Sequence, residues 1–179
     1  MEKIRTFIGV PLRVGEEFLK ARIALISRLS GERISWVDPE RYHVTLRFLG
    51  DTPPELVRTI GNALLEKVEP PLREELDLHQ AGSFGPRKKP RVVWVGFKNP
   101  FLFDNLKSEV DRALESCGIP SADQPFRAHL TLGRIRSLQD RGGYYDTMDS
   151  LKNDFTGKVV ADRLVFYRSV LGPAGPVYT

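Results

Sequence analysis

The feature that most constrains this chain is a tetrapeptide, His-x-Thr-Leu, that is written twice in it. The first copy spans residues 43–46 within "RYHVTLRFLG", and the second spans residues 129–132 within "FRAHLTLGRI". Both copies lie where apolar and polar residues alternate, a pattern typical of a β-strand with one buried face. Because the chain contains only 3 histidines, the use of two of them in one repeated pattern indicates a shared role.

The order of predicted elements around the two tetrapeptides also repeats. Each copy follows a strand, a helix and a proline-containing turn, which predicts a structural pseudo-repeat although few residues are identical between the halves. The strand–helix–strand sets are 4–10, 15–29 and 42–49 in the first half, and 91–97, 100–117 and 128–135 in the second. If the halves pack around a pseudo-twofold axis, the polar faces of the two His-x-Thr strands meet in one cleft.

Other elements are predicted outside these sets. They are a strand at 74–84, a short helix around 145–152 and a final strand or hairpin at 157–170. A further helix is predicted from a capping box in "DTPPE", with Thr52 as N-cap, Pro53 at the first helical position and Glu55 three residues after the cap. No shift in composition marks a linker, so we expect residues 1–179 to form one domain.

The charge of the chain favours an acidic ligand. The net charge is +4 and the isoelectric point is about 9.3, which favours polyanionic over cationic partners. The densest basic run is "RKKPR", residues 87–91, which is either a contact for a polyanion or an ordinary solvated loop.

The single Cys117 excludes an internal disulfide. No apolar run or signal-peptide pattern indicates a membrane partner, so we expect a cytoplasmic protein.

Strand alternation gives the two tetrapeptides a chemical interpretation. It places His43, Thr45 and Arg47 on one face of the first strand, and His129 and Thr131 on one face of the second. One histidine can accept a proton from water while the other donates a proton to a leaving oxygen. Threonine hydroxyls and an arginine can stabilise the charge on phosphate oxygens. Displacement at a phosphodiester requires these three functions, and it requires no metal or cofactor.

Competing interpretations find less support in the residues. A zinc site needs three or four close ligands, and two histidines on separate strands do not supply them. The segment "AGSFG" lacks the spacing of a serine nucleophile elbow, so Ser83 is interpreted as a turn residue. His79 has no matching threonine and is expected to be structural.

The paired motifs resemble those of the two-histidine (2H) phosphoesterase superfamily, and within it those of the RNA 2′,3′-cyclic phosphodiesterases, also named 2′-5′ RNA ligases. The likeness covers nearly the whole chain. It is carried by "RTFIGVPL", "ISWVDPERYHVTLRFLG", "GSFGPRKKPRVVWVG", "QPFRAHLTLGRI" and "YRSVLGPAGPVY".

The resemblance implies a bilobal α+β fold, in which two antiparallel-sheet lobes related by a pseudo-twofold axis carry helices on their outer faces and flank a central cleft. It implies hydrolysis of a 2′,3′-cyclic phosphate on RNA or a nucleotide to a 2′-phosphomonoester, without metal or cofactor. The family's catalytic positions correspond to His43, Thr45, His129 and Thr131, with His43 predicted as the acid and His129 as the base.

Three further residues are substrate-binding candidates. Arg134 corresponds to an arginine near the phosphate in the family, but strict alternation points it away from His129, so a bulge at Gly133 would be needed to turn it inward. Arg47 lies on the His43 face and competes for that role. Phe126 could stack on a nucleobase or belong to the core.

Two alternative functions remain open at this point. One is joining of tRNA halves through a 2′-5′ linkage, the reverse of the same chemistry. The other is a non-catalytic protein that binds RNA ends. The expected partner in all three cases is an RNA end or cyclic nucleotide, and we expect the protein to be a monomer.

Overall fold

Strands and helices alternate through both halves of the chain in the computed structural model, which describes residues 4–69, 71, 73–152, 155–172 and 175–179. The first half contains β1 (Ile4–Val14), α1 (Glu16–Arg28), β2 (Arg33–Trp36), a 3₁₀-helix (Pro39–Arg41), β3 (His43–Thr52) and α2 (Pro54–Lys67). The second half contains β4 (Glu74–Phe84), β5 (Val92–Phe97), α3 (Phe101–Glu115), β6 (Leu130–Ser137), α4 (Arg141–Ser150), β7 (Lys158–Ala161), β8 (Val165–Gly172) and β9 (Gly175–Tyr178).

The strands form two antiparallel sheets that a short strand joins. The first lobe has the order β3-β1-β8-β9, and the second lobe has the order β2-β6-β5-β4. Strand β7 pairs with β1 on one side and with β4 on the other, so a continuous path of backbone hydrogen bonds links the lobes. The predicted α+β class is confirmed, with β7 as a connection that the sequence did not indicate.

The apolar faces of the two His-x-Thr strands lie in the hydrophobic core. Val44 and Leu46 in β3 are buried, as are Leu130 and Leu132 in β6. The same core includes buried apolar residues of α1, α2, α3 and α4. Burial of one face fixes each strand so that its histidine and threonine lie on the other.

The predicted capping box is wrong. Helix α2 begins at Pro54 with Pro53 as N-cap, and no side chain caps it. Thr52 is instead the last residue of β3, where its buried hydroxyl bonds to that of Thr6 at 2.7 Å. A tertiary contact between two strands has prevailed over the local capping signal.

Other elements also differ from the sequence-based expectations. Helix α4 begins at Arg141, where Asp140 caps it by accepting a hydrogen bond from the Gly143 backbone at 3.0 Å. The segment predicted as one strand or hairpin at 157–170 is divided between β7 and β8, which both pair with β1, β7 at residues 12–14 and β8 at residues 6–9. Short β2 and β9 were not predicted, because four-residue strands carry too little alternation to be recognised.

Candidate active site

The two histidines and the two threonines line one cleft. His43 is the first residue of β3 and His129 immediately precedes β6, and both imidazoles face the cleft together with Thr45 and Thr131. The cleft has a volume of about 610 Å³, which lies in the range of small-molecule and nucleotide sites. The structure therefore brings together the four residues that the repeated tetrapeptide singled out.

Each His-x-Thr strand contains a β-bulge at the leucine of the tetrapeptide. In the first lobe Gly9 pairs with Thr45 and Ile8 pairs with Arg47, which leaves Leu46 without a partner residue. In the second lobe Trp94 pairs with Thr131 and Val93 pairs with Gly133, which leaves Leu132 as the extra residue. The two bulges occupy the same place in the repeat, and they are the clearest structural trace of the pseudo-twofold relation.

The bulges reverse the alternation after each threonine. Arg134 lines the cleft, as the family resemblance suggested, although the bulge lies at Leu132 rather than at Gly133. In the first lobe the equivalent fifth residue after the histidine is Phe48, which is 53% exposed and lines an adjoining part of the cleft, about 390 Å³ in volume, that the two histidines and two threonines also line. Strict alternation would have placed neither side chain there.

The same reversal corrects the expectation for Arg47. Its guanidinium lies on the α3 side of β3, where Nη1 is 3.3 Å from Asp111 Oδ1 and Nη2 donates to the Pro120 carbonyl. Asp111 also pairs with Lys107. The Arg47 side chain is only 10% exposed, so it belongs to an internal ion-pair network rather than to the cleft.

Of the two interpretations of Phe126, stacking on a nucleobase or packing in the core, the structure supports core packing. Phe126 is half-buried and packs against the hydrophobic core. The Lys107 ammonium lies 6.0 Å from its ring centroid, at the same α3 side that holds Arg47. A single aromatic residue in a loop gave no indication of its direction, because loops have no side-chain periodicity.

Both catalytic candidates are held in the same way. His43 Nδ1 lies 2.8 Å from the carbonyl oxygen of Arg41, and His129 Nδ1 lies 2.7 Å from that of Arg127. A carbonyl only accepts, so each Nδ1 carries the proton and donates it. This leaves Nε2 of each ring as the nitrogen that can exchange a proton with a ligand.

Local sequence explains the first of these contacts. The 3₁₀-helix before β3 starts at Pro39 and is capped by Asp38, whose carboxylate accepts from the Glu40 backbone at 3.0 Å. This turn fixes the Arg41 carbonyl two residues before His43. The segment "DPERY", which is the proline-containing turn predicted before the first His-x-Thr strand, thus orients the imidazole.

Burial and nearby cations lower the pKa of both histidines. For His43, burial is the main cause, and the charges of Arg134 and His129 lower the pKa further below 6.5, against the hydrogen bond to Arg41. For His129, burial again lowers the pKa and the charge of Arg127 adds to it, against the hydrogen bond to the Arg127 carbonyl. Both rings are therefore mainly neutral near pH 7 before a ligand binds.

Aromatic side chains surround the two imidazoles. Phe7, Tyr167 and Tyr178 have ring centroids 5.0, 5.8 and 5.4 Å from that of His43. Phe84 meets His129 edge-on at 4.7 Å. No sequence pattern indicated these residues as parts of the site. Tyr178 was present in the closing "LGPAGPVY", which contributed to the resemblance, but nothing local indicated that the chain end returns to the cleft.

Cations predominate among the charged groups of the cleft. Arg22, Arg41, Arg134 and Arg136 line it, with Asp38 as the acidic residue. Arg22 donates hydrogen bonds to the Tyr42 hydroxyl at 2.7 Å and to the Val37 carbonyl at 3.0 Å, while Arg134 and Arg136 are exposed.

In the part of the chain that the structure describes, no group of three His, Cys, Asp or Glu side chains is arranged to hold a metal ion. Nor is any described helix long and apolar enough to cross a membrane.

The sequence matches the family model described as LigT-like phosphoesterase over residues 8–94 and 102–178. The chain belongs to the LigT-like phosphoesterase family. A protein named RNA 2′,3′-cyclic phosphodiesterase from Methanothermobacter thermautotrophicus is 30% identical over 177 residues, covering 99% of this chain and 96% of the relative. A protein of the same name from Thermotoga maritima is 31% identical, with coverage of 98% and 91%.

Two solved structures share the fold. The protein TT0787 of Thermus thermophilus superimposes with a TM-score of 0.69 at 25% identity, covering 98% of this chain and 94% of that one. E. coli LigT complexed with 3′-AMP superimposes with a TM-score of 0.71 at 20% identity, covering 99% and 95%. The two-lobed arrangement that the family resemblance implied is thus that of an established fold.

Proposed function

We propose that this protein hydrolyses the 2′,3′-cyclic phosphate at an RNA end, or on a nucleotide, to a 2′-phosphomonoester. The observation that carries the proposal is the matched pair of half-buried imidazoles, each held through Nδ1 and each followed by a threonine, in one cation-rich cleft. Membership of a family whose curated relatives are named for this activity supports the same substrate.

The reaction divides between the two rings. His129 Nε2 accepts a proton from water as the water oxygen bonds to phosphorus. The bond between phosphorus and O3′ breaks, and His43 donates its proton to O3′, which leaves the phosphate on O2′. Each proton transfer is typically worth about 10²–10⁴-fold in rate. The products carry one phosphomonoester and one hydroxyl, so the atoms of the ester and water balance.

Arg134 and the two threonines are suited to hold the phosphate. The guanidinium can donate to the non-bridging oxygens, where negative charge increases in the transition state, and the hydroxyls of Thr45 and Thr131 can donate from either lobe. The anion would also offset the charge of Arg134, which lowers the pKa of His43. Substrate binding therefore raises the pKa of His43 toward the protonated state that an acid requires.

Phe48 is suited to support the nucleobase. Its ring is exposed beside the histidine pair, lies parallel to Phe7 with a 6.1 Å centroid distance, and carries the Arg5 guanidinium 5.1 Å from its own centroid. A base stacked on an aromatic ring gains about 1–3 kcal/mol irrespective of its identity. This fits a protein that acts on RNA ends of different sequence.

The test is turnover of a 2′,3′-cyclic mononucleotide in excess EDTA, with the products separated as 2′- and 3′-monophosphates. We expect the 2′-monophosphate, and we expect His43→Ala and His129→Ala each to lower kcat by at least about 10²-fold. His79→Ala is the matched control, because His79 is exposed on β4 and lacks the motif. A 3′-monophosphate product, or full activity in either cleft variant, would contradict the assignment. Binding without product would favour a non-catalytic RNA-end protein.

A further inference from the structure

A second basic groove lies beside the cleft. Its lining includes Lys88, Lys89, Arg91, Arg136 and Arg141, from the loop before β5, the end of β6 and the start of α4. All five of these side chains are exposed. The groove contains most of the "RKKPR" run, for which the sequence allowed either a contact to a polyanion or an ordinary solvated loop.

Within the described ranges, no ion pair neutralises the charges of the groove. The ion pairs found among the described residues involve Arg13, Arg47, Lys107, Lys158 and Arg163, all of which lie elsewhere. Two carboxylates are near its α4 end. Glu32 accepts from the backbone of Gln139 and Asp140, and Asp140 accepts from the Gly143 backbone. Both carboxylates are committed to backbone amides, and the five cations outnumber them.

The loop that carries the lysines is fixed in place. The Arg87 guanidinium lies 4.3 Å from the Tyr145 ring centroid, and the Tyr145 hydroxyl donates to the Arg87 carbonyl at 3.0 Å. The Arg91 backbone donates to the Phe84 carbonyl at 2.8 Å, and the Arg91 carbonyl accepts from Ile135 at 2.9 Å. A loop held at both ends presents its charges in one arrangement, which lowers the ordering cost of binding.

Arg136 connects the groove to the cleft. It lines both, and its Nε donates to the Ser35 hydroxyl at 3.1 Å. Arg134 precedes it by two residues on the same strand and also lines the cleft. A row of cations therefore runs from the site proposed for the cyclic phosphate into the groove, as a polynucleotide backbone requires.

We propose that this groove binds the phosphates of the RNA chain that precedes the cyclic end, so that the protein discriminates an oligoribonucleotide from a cyclic mononucleotide. The inference rests on the proposed function and names its substrate class. The contacts are to phosphates, so they raise affinity without selecting a sequence, and salt weakens them.

The test compares two substrates with the same terminal nucleotide, a 2′,3′-cyclic mononucleotide and a ribo-oligonucleotide about ten residues long with a 2′,3′-cyclic end. We expect Lys88→Ala/Lys89→Ala to lower kcat/KM for the oligonucleotide about tenfold through KM, and to leave the mononucleotide unchanged. The slope of log kcat/KM against log salt should be steeper for the oligonucleotide and should decrease by about one to two in the variant.

The matched control removes the same charge elsewhere. Arg58 and Lys67 are exposed on α2, which packs against α3, and Arg58→Ala/Lys67→Ala should leave both substrates unaffected. Equal loss in this control, equal loss on both substrates, or no loss in the groove variant would overturn the proposal.

Binding separates this proposal from the proposed function. Fluorescence anisotropy of a labelled ribo-oligonucleotide should show about tenfold weaker binding to the groove variant than to the wild type or the α2 control. If the wild type hydrolyses neither substrate, the proposed function fails, while the anisotropy result still supports or overturns the groove. Unchanged melting temperatures in both variants establish that the fold is intact.

Discussion

Strands β3 and β6 carry the same tetrapeptide and the same bulge, yet they differ in the two residues that follow it. The fourth residue after each histidine is Arg47 in the first lobe and Gly133 in the second, and the fifth is Phe48 and Arg134. The fifth residues both line the cleft. The repeat thus supplies matched proton-transfer groups, while the fifth position makes the cleft aromatic on one lobe and cationic on the other.

The fourth position differs because the two strands have different neighbours. Strand β6 pairs with β2, and a Cβ atom at Gly133 would lie 2.8 Å from Ile34 Cγ2 and 2.9 Å from Trp36 Cε3. Only glycine allows that approach. In β3 the same position faces α3, where Arg47 pairs with Asp111. Equivalent positions in a repeat therefore carry different residues when their surroundings differ.

We expect the largest effect in an experiment that tests whether the two histidines have different roles. A cyclic substrate with sulfur in place of the 3′ oxygen has a leaving group that needs no protonation. We expect His43→Ala to recover at least about 10²-fold of its lost rate with this substrate, and His129→Ala to recover none, because only the acid becomes dispensable. Product formation measured under single-turnover conditions reports the chemical step. If only His129→Ala recovered its lost rate, His129 would be the acid and His43 the base.

The next effect tests the cationic lobe. Arg134→Ala should lower kcat/KM about 10²-fold, since it removes a charged donor to the phosphate in a cleft partly shielded from water. Arg134→Lys should retain part of the wild-type kcat/KM, because lysine keeps the positive charge but cannot form bidentate hydrogen bonds to the phosphate. Steady-state kinetics on a cyclic mononucleotide measure both. Wild-type kcat/KM in Arg134→Ala would mean that the bulge at Leu132 has no functional consequence.

A smaller effect tests the aromatic lobe. Phe48→Ala should raise KM about fivefold by removing a stacking surface, with little change in kcat, and Phe48→Trp should preserve the wild-type value. The matched comparison is an abasic ribose 2′,3′-cyclic phosphate, on which all three proteins should behave alike. Equal losses with and without a base would show that Phe48 supports the fold of the cleft rather than the base.

Arg47 should affect stability rather than catalysis. Arg47→Ala removes one of the two cations that pair with Asp111 and the donor to the Pro120 carbonyl, and we expect the free energy of unfolding to decrease by about 1–3 kcal/mol. Denaturant unfolding measures this change, and kcat should stay within about twofold of the wild type at a temperature where the variant is folded. A large fall in kcat without loss of stability would place Arg47 back among the active-site residues.

The smallest effect concerns the pKa values. The Arg134 charge lowers the pKa of His43, whereas the cation that acts on His129 is Arg127. Removing a cation favours the protonated imidazole, so Arg134→Gln should raise the pKa of His43 and leave that of His129 in place. NMR titration of the imidazole protons in the free protein measures both. An equal rise in the pKa values of His43 and His129 would contradict a position of the Arg134 charge close to His43 alone.

Predictions of strands and cleft residues from the sequence succeeded where a pattern was both local and repeated. Alternation in 42–49 and 128–135 gave the strands, and the repeated histidine and threonine gave four cleft residues. Local signals failed where a distant contact competed with them. Thr52 had the features of a helix cap but bonds to Thr6, and the sequence left open whether Phe126 stacks on a base or packs against the core near Lys107, where it lies in the structure.

The sequence by itself determined which chemical groups the two lobes contribute, because burial of Val44, Leu46, Leu130 and Leu132 forces the histidines and threonines to the opposite face. Only the tertiary structure decided which arginine joins them. A bulge depends on pairing with a partner strand, here β1 or β5, and one extra residue reverses every side chain after it. That reversal turned Arg134 and Phe48 into the cleft and Arg47 away from it.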